Sequence, residues 1–390
     1  MSNQLWLTNR FFLFFFTWGV FLPHWTVYLT SRGLTVSEAG IMISAGLVVR
    51  SFSNLYLFPL LSGYFTLARI SLIIPFSAVA VLGLYPWADG FSSLMVVTII
   101  FSMVYPVLLP MNETVASLLL KEKKVVYGSS RLWGSVGFMM ALIVCGGLIS
   151  LYGDRIIFTV MTISCLLLGV MTSFSIPTLL YKKMERRSLS PFTLFRSSTF
   201  ITCLSICILL QGAHAVYYSF GFLYLQNIGM GGTVIGLILM LAVCSEVIFF
   251  FVADRWFKPL SIPTLFMIAL VASILRWMLI FLFPHPAVFI FTQMFHALTF
   301  GLTHFTFIRY IDDEIEAEWI SLAQGVYAAL ATSLGTGVLT IVGSVLYEYS
   351  PGVSFLGMAI VVLPGLILVP VLRAQLKAKA AITQQCAVEL

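Results

Sequence analysis

Tyr28-Leu-Thr-Ser-Arg-Gly-Leu-Thr-Val-Ser-Glu-Ala-Gly40 and Tyr224-Leu-Gln-Asn-Ile-Gly-Met-Gly-Gly-Thr-Val-Ile-Gly236 carry the same punctuation at an offset of 196 residues. In each, a Tyr-Leu pair closes an apolar run, a glycine follows four residues after the leucine, and a second glycine begins the next apolar run. A turn repeated at that distance indicates a duplicated unit. The runs around it are about 20 residues long, enough to cross the hydrocarbon of a bilayer as a helix. Using Gly, Pro and charge clusters as boundaries, the pattern predicts helices over 5–30, 38–62, 68–86, 91–119, 130–152 and 154–178. Six more are predicted over 199–226, 232–253, 260–283, 286–310, 319–347 and 352–373. The longest polar stretch, Tyr181-Lys-Lys-Met-Glu-Arg-Arg-Ser-Leu-Ser-Pro191, separates the two sets. The organisation read from this is a six-helix bundle over 1–180, a linker over 181–198, a second six-helix bundle over 199–373 and a tail over 374–390.

Composition agrees. The chain is 60% hydrophobic and 9% charged with a mean hydropathy of +1.03, whereas a soluble domain carries about 25% charged residues. The fold class is an all-α membrane protein of twelve transmembrane helices. A β-barrel is excluded because its signal is short alternating segments rather than long apolar runs. The first apolar run lacks a small-residue cleavage site and is read as the first helix rather than a removed signal.

Orientation follows from the basic residues. Arg10, Arg69, Lys121, Lys123, Lys124, Arg131, Lys182, Lys183, Arg186, Arg187, Arg196, Arg255, Lys258, Arg309, Arg373, Lys377 and Lys379 fall on one side, with Arg32 and Arg155 on the other. The positive-inside rule assigns the first side, with both termini and the linker, to the cytoplasm. The net charge of +6 is therefore a matter of topology and anionic headgroups, and no nucleic-acid partner is expected. Five of the six cysteines lie in apolar runs, and Cys203 and Cys207, though on one helix face, have no His or acid nearby; no metal site is expected.

A charge at the bilayer centre costs roughly 2.5 to 3.5 kcal/mol on insertion scales, so each polar group left inside the helices invites a function. Glu113 and Arg131 can meet across the fourth and fifth helices, either as a structural ion pair or as a substrate or gating pair. Arg276 and His296 flank the Pro284-His285-Pro286 turn at similar depth. With Glu246 they form an expected proton-coupling cluster, in which protonating the acid releases the arginine. Arg50 corresponds to Glu246 under the 196-residue offset. It either binds an anionic group or pairs with Glu246. Gln211, His214 and Tyr218 form a polar stripe on one helix face, whereas His24 and His304 read as hydrogen-bonded packing groups. Trp18, Trp25 and Trp133 are candidates for stacking on a substrate.

The sequence has no glycine-rich phosphate loop with a following Lys and Ser or Thr, which argues against an ATPase motor. It also lacks a Ser, His and Asp set at a common depth. The chain is thus not expected to be an enzyme, and no cofactor is implied.

Phe21-Leu-Pro-His-Trp25, Ala45-Gly-Leu-Val-Val-Arg50, Arg131-Leu-Trp-Gly-Ser-Val136, Leu210-Gln-Gly-Ala-His-Ala215 with Tyr217-Tyr218, Glu246, Arg276-Trp277, and His296 with His304 and Arg309-Tyr310 together resemble the phenylpropionate permease family of the major facilitator superfamily. Six plus six helices with repeated halves is that superfamily's layout, in which the substrate site lies at the midplane between the halves. The resemblance implies proton-coupled uptake of 3-phenylpropionate or a related aromatic acid. A more distant resemblance is to the lactose permease, in the eighteen-residue spacing from Glu113 to Arg131, Gly128, the twenty-residue spacing from Arg276 to His296, and Arg309-Tyr310. It implies substrate binding at Glu113 and Arg131, and substrate binding with proton coupling at Arg276 and His296. Thr299 stands where that permease carries its proton-bearing acid, so the proton is expected on Glu246 or Glu113.

The expected site is therefore Arg131, Glu113, Arg50, His214 and Trp25 for substrate, and Glu246, Arg276 and His296 for the proton. The alternatives are a neutral sugar or nucleoside as substrate and, more remotely, a sensor that binds ligand and moves none. The partners are a small-molecule substrate, protons and the lipid bilayer of a bacterial inner membrane, and a monomer is expected.

Overall fold

The computed structural model describes residues 2–183, 191–316 and 318–388. Arg186, Arg187 and most of the linker stretch lie outside them. Among the described residues twelve helices are long and apolar enough to cross a membrane. They are α1 (Asn3–Ser31), α2 (Val36–Tyr64), α3 (Leu67–Trp87), α4 (Gly90–Lys121), α5 (Tyr127–Tyr152), α6 (Ile156–Ser173), α7 (Ser198–Asn227), α8 (Gly232–Trp256), α9 (Ile262–Leu282), α10 (Pro286–Glu314), α11 (Ile320–Tyr349) and α12 (Pro351–Ala381).

Local chemistry sets the ends. Thr35 and Glu38 close a reciprocal capping box at the start of α2, satisfying donors that a helix leaves free in its first turn. Ser2, Thr66 and Ser197 cap α1, α3 and α7 one way only, each hydroxyl accepting from a first-turn N–H. Gly33 and Gly229, equivalent in the repeat, both have a left-handed backbone, with φ of 90° and 86°, a conformation that costs a residue with a Cβ. The helix predicted to stop at 373 does not. Its backbone stays helical to Val388, because Arg373-Ala-Gln-Leu-Lys-Ala-Lys-Ala-Ala is rich in helix formers and Lys379 Nζ bonds Glu314 Oε2 at the end of α10 at 2.7 Å.

Several helices are broken near mid-length. The α7 helix is interrupted at Ala213 and His214. Pro106 tightens a turn of α4. Wide π-helical turns interrupt α2 at Ser53–Leu57, α10 at Ala297–Gly301 and α11 at Leu330–Gly335.

The halves meet along two symmetric seams, α2 against α11 and α5 against α8, with α1 against α7 between them. Small residues make the close approach. A methyl group on Gly40 would overlap Ser344, and one on Gly236 would overlap the Leu142 carbonyl. These two glycines are the repeat pair of the opening motif. Gly146 and Gly232 pack backbone to backbone beside Gly236.

At the face that holds these turns the seams are tied by hydrogen bonds. Ser37 N–H donates to Glu348 Oε1 at 2.7 Å, Gln226 Nε2 to Asp154 Oδ1 at 3.1 Å, and Thr233 N–H to Ser150 Oγ at 3.1 Å. Toward the other face, which carries the lysine-rich turns, Ser51 Oγ still donates to the Ala329 carbonyl at 2.7 Å between α2 and α11. On the opposite seam, among the described residues, the last contact of this kind between α5 and α8 is Cys244 Sγ on Met139 Sδ at 3.6 Å. Beyond it the side chains of Arg131, Glu113 and Glu246 keep 37%, 39% and 25% of their surface exposed. Both seams are tied at the face that holds these turns; toward the basic face the α2 and α11 seam stays joined, while polar side chains of α4, α5 and α8 are partly exposed.

Candidate functional site

In the second half, α9 and α10 bring Arg276 and His296 together as expected, with Arg276 Nη1 3.1 Å from His296 Nδ1 and 3.1 Å from Thr299 Oγ1. A guanidinium has donors and no acceptor, so Nδ1 of His296 must accept. A neutral His296 then carries its proton on Nε2, which faces Glu246 Oε2 at 3.8 Å. His214 Nδ1 lies 2.9 Å from the Leu210 carbonyl, which can only accept, so a neutral His214 carries its proton there. Its Nε2 then accepts, and the Thr299 hydroxyl, itself accepting from Arg276, donates to it at 3.0 Å. These hydrogen bonds run outward from Arg276 both ways, with the donor of each assigned. Arg276 is completely buried, and its Nε and Nη2 have no hydrogen-bond partner. Instead the cation lies 4.7 Å from the Tyr217 ring centre and 4.5 Å from that of Trp277, which stabilises it through the negative face of each ring.

This arrangement departs from three expectations. Glu246 does not pair with Arg276, because the imidazole of His296 stands between them. Protonating the acid reaches the arginine only through that ring. Nor does Arg50 pair with Glu246. The stripe of Gln211, His214 and Tyr218 also divides at the break in α7: Gln211 Nε2 donates to Tyr327 Oη on α11 at 2.8 Å, while His214 and Tyr218 stack at 5.6 Å and face α10.

In the first half, Glu113 and Arg131 do meet, with Oε1 and Nε 3.6 Å apart. Tyr127 Oη donates to Glu113 Oε2 at 2.8 Å, and the guanidinium lies 4.2 Å over the Phe15 ring. Arg131 lies near enough to Glu246 and His304 of the second half for its charge to act on both.

Arg50 sits apart from these. It is 8% exposed, its guanidinium is 4.5 Å over the Trp18 ring, and among the described residues it has no acidic partner. Trp18, Phe21, Phe101 and Tyr105 line a cavity of about 10 Å³ beside it, room for one water. Trp25 is fully buried behind this wall, against Phe21, Tyr28 and Tyr85. It shapes the cavity from behind and has no free face in this conformation. His24 reads as expected: Nδ1 bonds the Val20 carbonyl at 3.2 Å and the ring packs on Phe222 of the other half at 4.7 Å.

Two residues were missed from the sequence. Arg10, counted as a topological charge, is fully buried, with Nε on Asn112 Oδ1 and its charge over the Trp6 ring at 5.2 Å. An Asn in the apolar run of α4, one residue before Glu113, was the available signal. Thr299 was read only as the loss of an acid, whereas it joins Arg276 to His214.

A bundle of twelve membrane-crossing helices in two similar halves, with charged groups gathered between them, is the architecture of a secondary transporter rather than of an enzyme. The family described as "MFS_1 like family" matches residues 4–356, and the chain belongs to it, within the major facilitator superfamily. It is 32% identical over 383 residues to the probable 3-phenylpropionic acid transporter of Escherichia coli (strain K12), covering 95% of this chain and 98% of that one. It is 26% identical over 352 residues to the maltose permease of Geobacillus stearothermophilus, covering 87% and 86%. The fold superposes on the crystal structure of the nucleoside transporter NupG with a TM-score of 0.78 at 19% identity, covering 97% of this chain and all of that one.

Proposed function

We propose that the chain is a proton-coupled importer of 3-phenylpropionate or a closely related aromatic carboxylate. It works in a bacterial cytoplasmic membrane with the basic face and both chain ends on the cytoplasmic side. The observation that carries this reading is Arg50: a buried cation without an acidic partner, stacked on Trp18 in a cavity walled by aromatic rings. A carboxylate satisfies the cation with charge-assisted hydrogen bonds, and a phenyl ring matches the wall by stacking. The cavity is too small for such a ligand in this conformation, so binding requires the wall to open. The similarity to a probable 3-phenylpropionic acid transporter supports the same substrate.

Residues 1–180 and 199–373 are the two rocking bodies, joined by 181–198. Arg131 is the second candidate for the substrate carboxylate, Glu113 sets its poise, and His214 and Trp25 shape the site from the two halves. Glu246, with His296 and Arg276, takes the coupled proton. Uptake of radiolabelled 3-phenylpropionate into proteoliposomes, with and without an imposed inward proton gradient, tests the reading. Gradient-dependent accumulation is expected; no uptake by folded protein refutes the substrate.

One observation favours a second substrate class. Glu113, Arg131 and Tyr127 form a half-exposed set of donors and acceptors suited to hydroxyl groups, and relatives include a maltose permease and a putative nucleoside transporter. Inhibition of phenylpropionate uptake by maltose or a nucleoside at lower concentration than by other aromatic acids would favour it.

A further inference from the structure

The hydrogen bonds around Arg276 do more than hold one charge. Arg276 Nη1 has two protons; one goes to His296 and the other to Thr299. The hydroxyl of Thr299 is thereby oriented, and its own proton goes to His214. His214 is not on a regular stretch of helix. It closes the interruption of α7, between Gly212 and Ala215, where its imidazole returns to the Leu210 carbonyl of the preceding turn. A single hydroxyl therefore links the group facing Glu246 to the break in the helix that packs against α1 of the other half.

We infer that Thr299 is a positioning residue for coupling, which passes the protonation state of the Glu246 and His296 pair to the α7 break through Arg276 and His214. The chemistry is a change of hydrogen-bond partners without any covalent step. When His296 takes a second proton at Nδ1, that atom becomes a donor and Arg276 Nη1 loses its acceptor there. The guanidinium then turns from the imidazolium, and Thr299 is the remaining acceptor of the pair. Moving Arg276 moves the hydroxyl that holds His214 Nε2, and the α7 break is released or set accordingly.

The charged and titratable groups facing this network are Tyr217 and Tyr218 on α7, Glu246 on α8, His304 on α10, Tyr327 on α11 and, across the seam, Arg131 on α5. None of these bonds to the Thr299 hydroxyl. The inference rests on the proton-coupling role proposed for Glu246 and His296, and it names a residue that role does not require.

The test compares Thr299→Val, which keeps shape and removes the hydroxyl, with Thr299→Ser, which restores it. In proteoliposomes Thr299→Val is expected to lower gradient-driven accumulation of 3-phenylpropionate by about tenfold, the scale of one buried hydrogen bond lost with its partner left unpaired. Equilibrium exchange should change less, the pH profile of uptake should flatten, and Thr299→Ser should recover both. A Thr299→Val protein that accumulates with the native pH profile overturns the inference.

If the native protein transports no phenylpropionate, the substrate reading fails, and the network is judged by ¹⁵N NMR of the histidine rings in the full-length protein. Protons on Nδ1 of His214 and on Nε2 of His296 are expected, with the His214 Nε2 resonance displaced in Thr299→Val and restored in Thr299→Ser. The opposite tautomers, or an unmoved His214 resonance, refute the inference whatever the substrate.

Discussion

Replacing Gly236 with alanine tests the closed seam directly. The Cβ of an alanine there would overlap the Leu142 carbonyl oxygen and press on the Leu142 carbon and Ile143 Cα. All three are backbone atoms of α5, so no side chain can turn aside and the helices themselves must separate. Overpacking of this kind costs about 1–3 kcal/mol. Because the overlap exists only where the seam is closed, the cost falls on this conformation and not on one that opens there. A bias of that size shifts a two-state population by about 5- to 150-fold.

The assay is a pulsed electron-spin measurement of the distance between labels at positions 87 and 349, at the ends of α3 and α11 on the closed face, in protein lacking its native cysteines. Trp87 and Tyr349 are 86% and 84% exposed, so the labels disturb little. The Gly236→Ala protein should show a longer-distance population that is minor in the parent. Gly147→Ala serves as control, because a methyl group there meets nothing nearer than 4.0 Å. Identical distributions for Gly236→Ala and its parent would refute the claim that glycine packing on α5 and α8 holds this face shut.

Arg50→Lys keeps the charge but loses the planar group that stacks on Trp18 and can grip a carboxylate at two points. The KM for 3-phenylpropionate should rise about tenfold, and an unchanged KM would remove Arg50 from the site. Glu246→Gln should abolish accumulation driven by a pH gradient while exchange persists; intact pH-driven accumulation in that variant ends the role given to Glu246. Glu348→Ala deletes the acceptor for Ser37 N–H at the start of α2. Its loss, worth about 0.3–1 kcal/mol for an anion at an exposed helix N-terminus, should enlarge the open population in the same spin-label experiment by about two- to fivefold. No change would remove the Glu348 contact from the interactions that close that face.

Helix number, pairing into halves and the repeat were legible because each depends on local composition: apolar length, turn glycines and capping residues. The glycines at 40 and 236 announced themselves as punctuation, yet their larger role, close approach between the halves, depends on what α11 and α5 place opposite them. Spacing along adjacent helices sufficed to pair Glu113 with Arg131 and Arg276 with His296, since one turn sets the relative depth of each pair. It did not reveal that His296 separates Glu246 from Arg276, because α8 and α10 are not adjacent in sequence and the ring's orientation depends on which atom the arginine needs as acceptor. Arg10 was misread for a related reason. Proximity to a chain end suggests a solvated charge, and only the packing of α1 on α4 shows it enclosed. The end of α12 was missed because polar helix formers after an apolar run look like a tail when hydropathy is the guide.

The wide turn in α10 has a mechanical consequence. A π-helical turn contains one residue more than the α-helical geometry needs, so it stores a residue of slack in the rod. Restoring regular winding at Ala297–Gly301 would rotate everything beyond it, Leu302–Glu314, by about 100° about the helix axis, the angle that one residue subtends. His304 and Arg309 ride on that portion, whereas His296 lies before the turn. Such a rewinding would make the helix two separately indexed shafts on one axle, re-aiming the side chains toward the basic face without moving the imidazole that Arg276 holds.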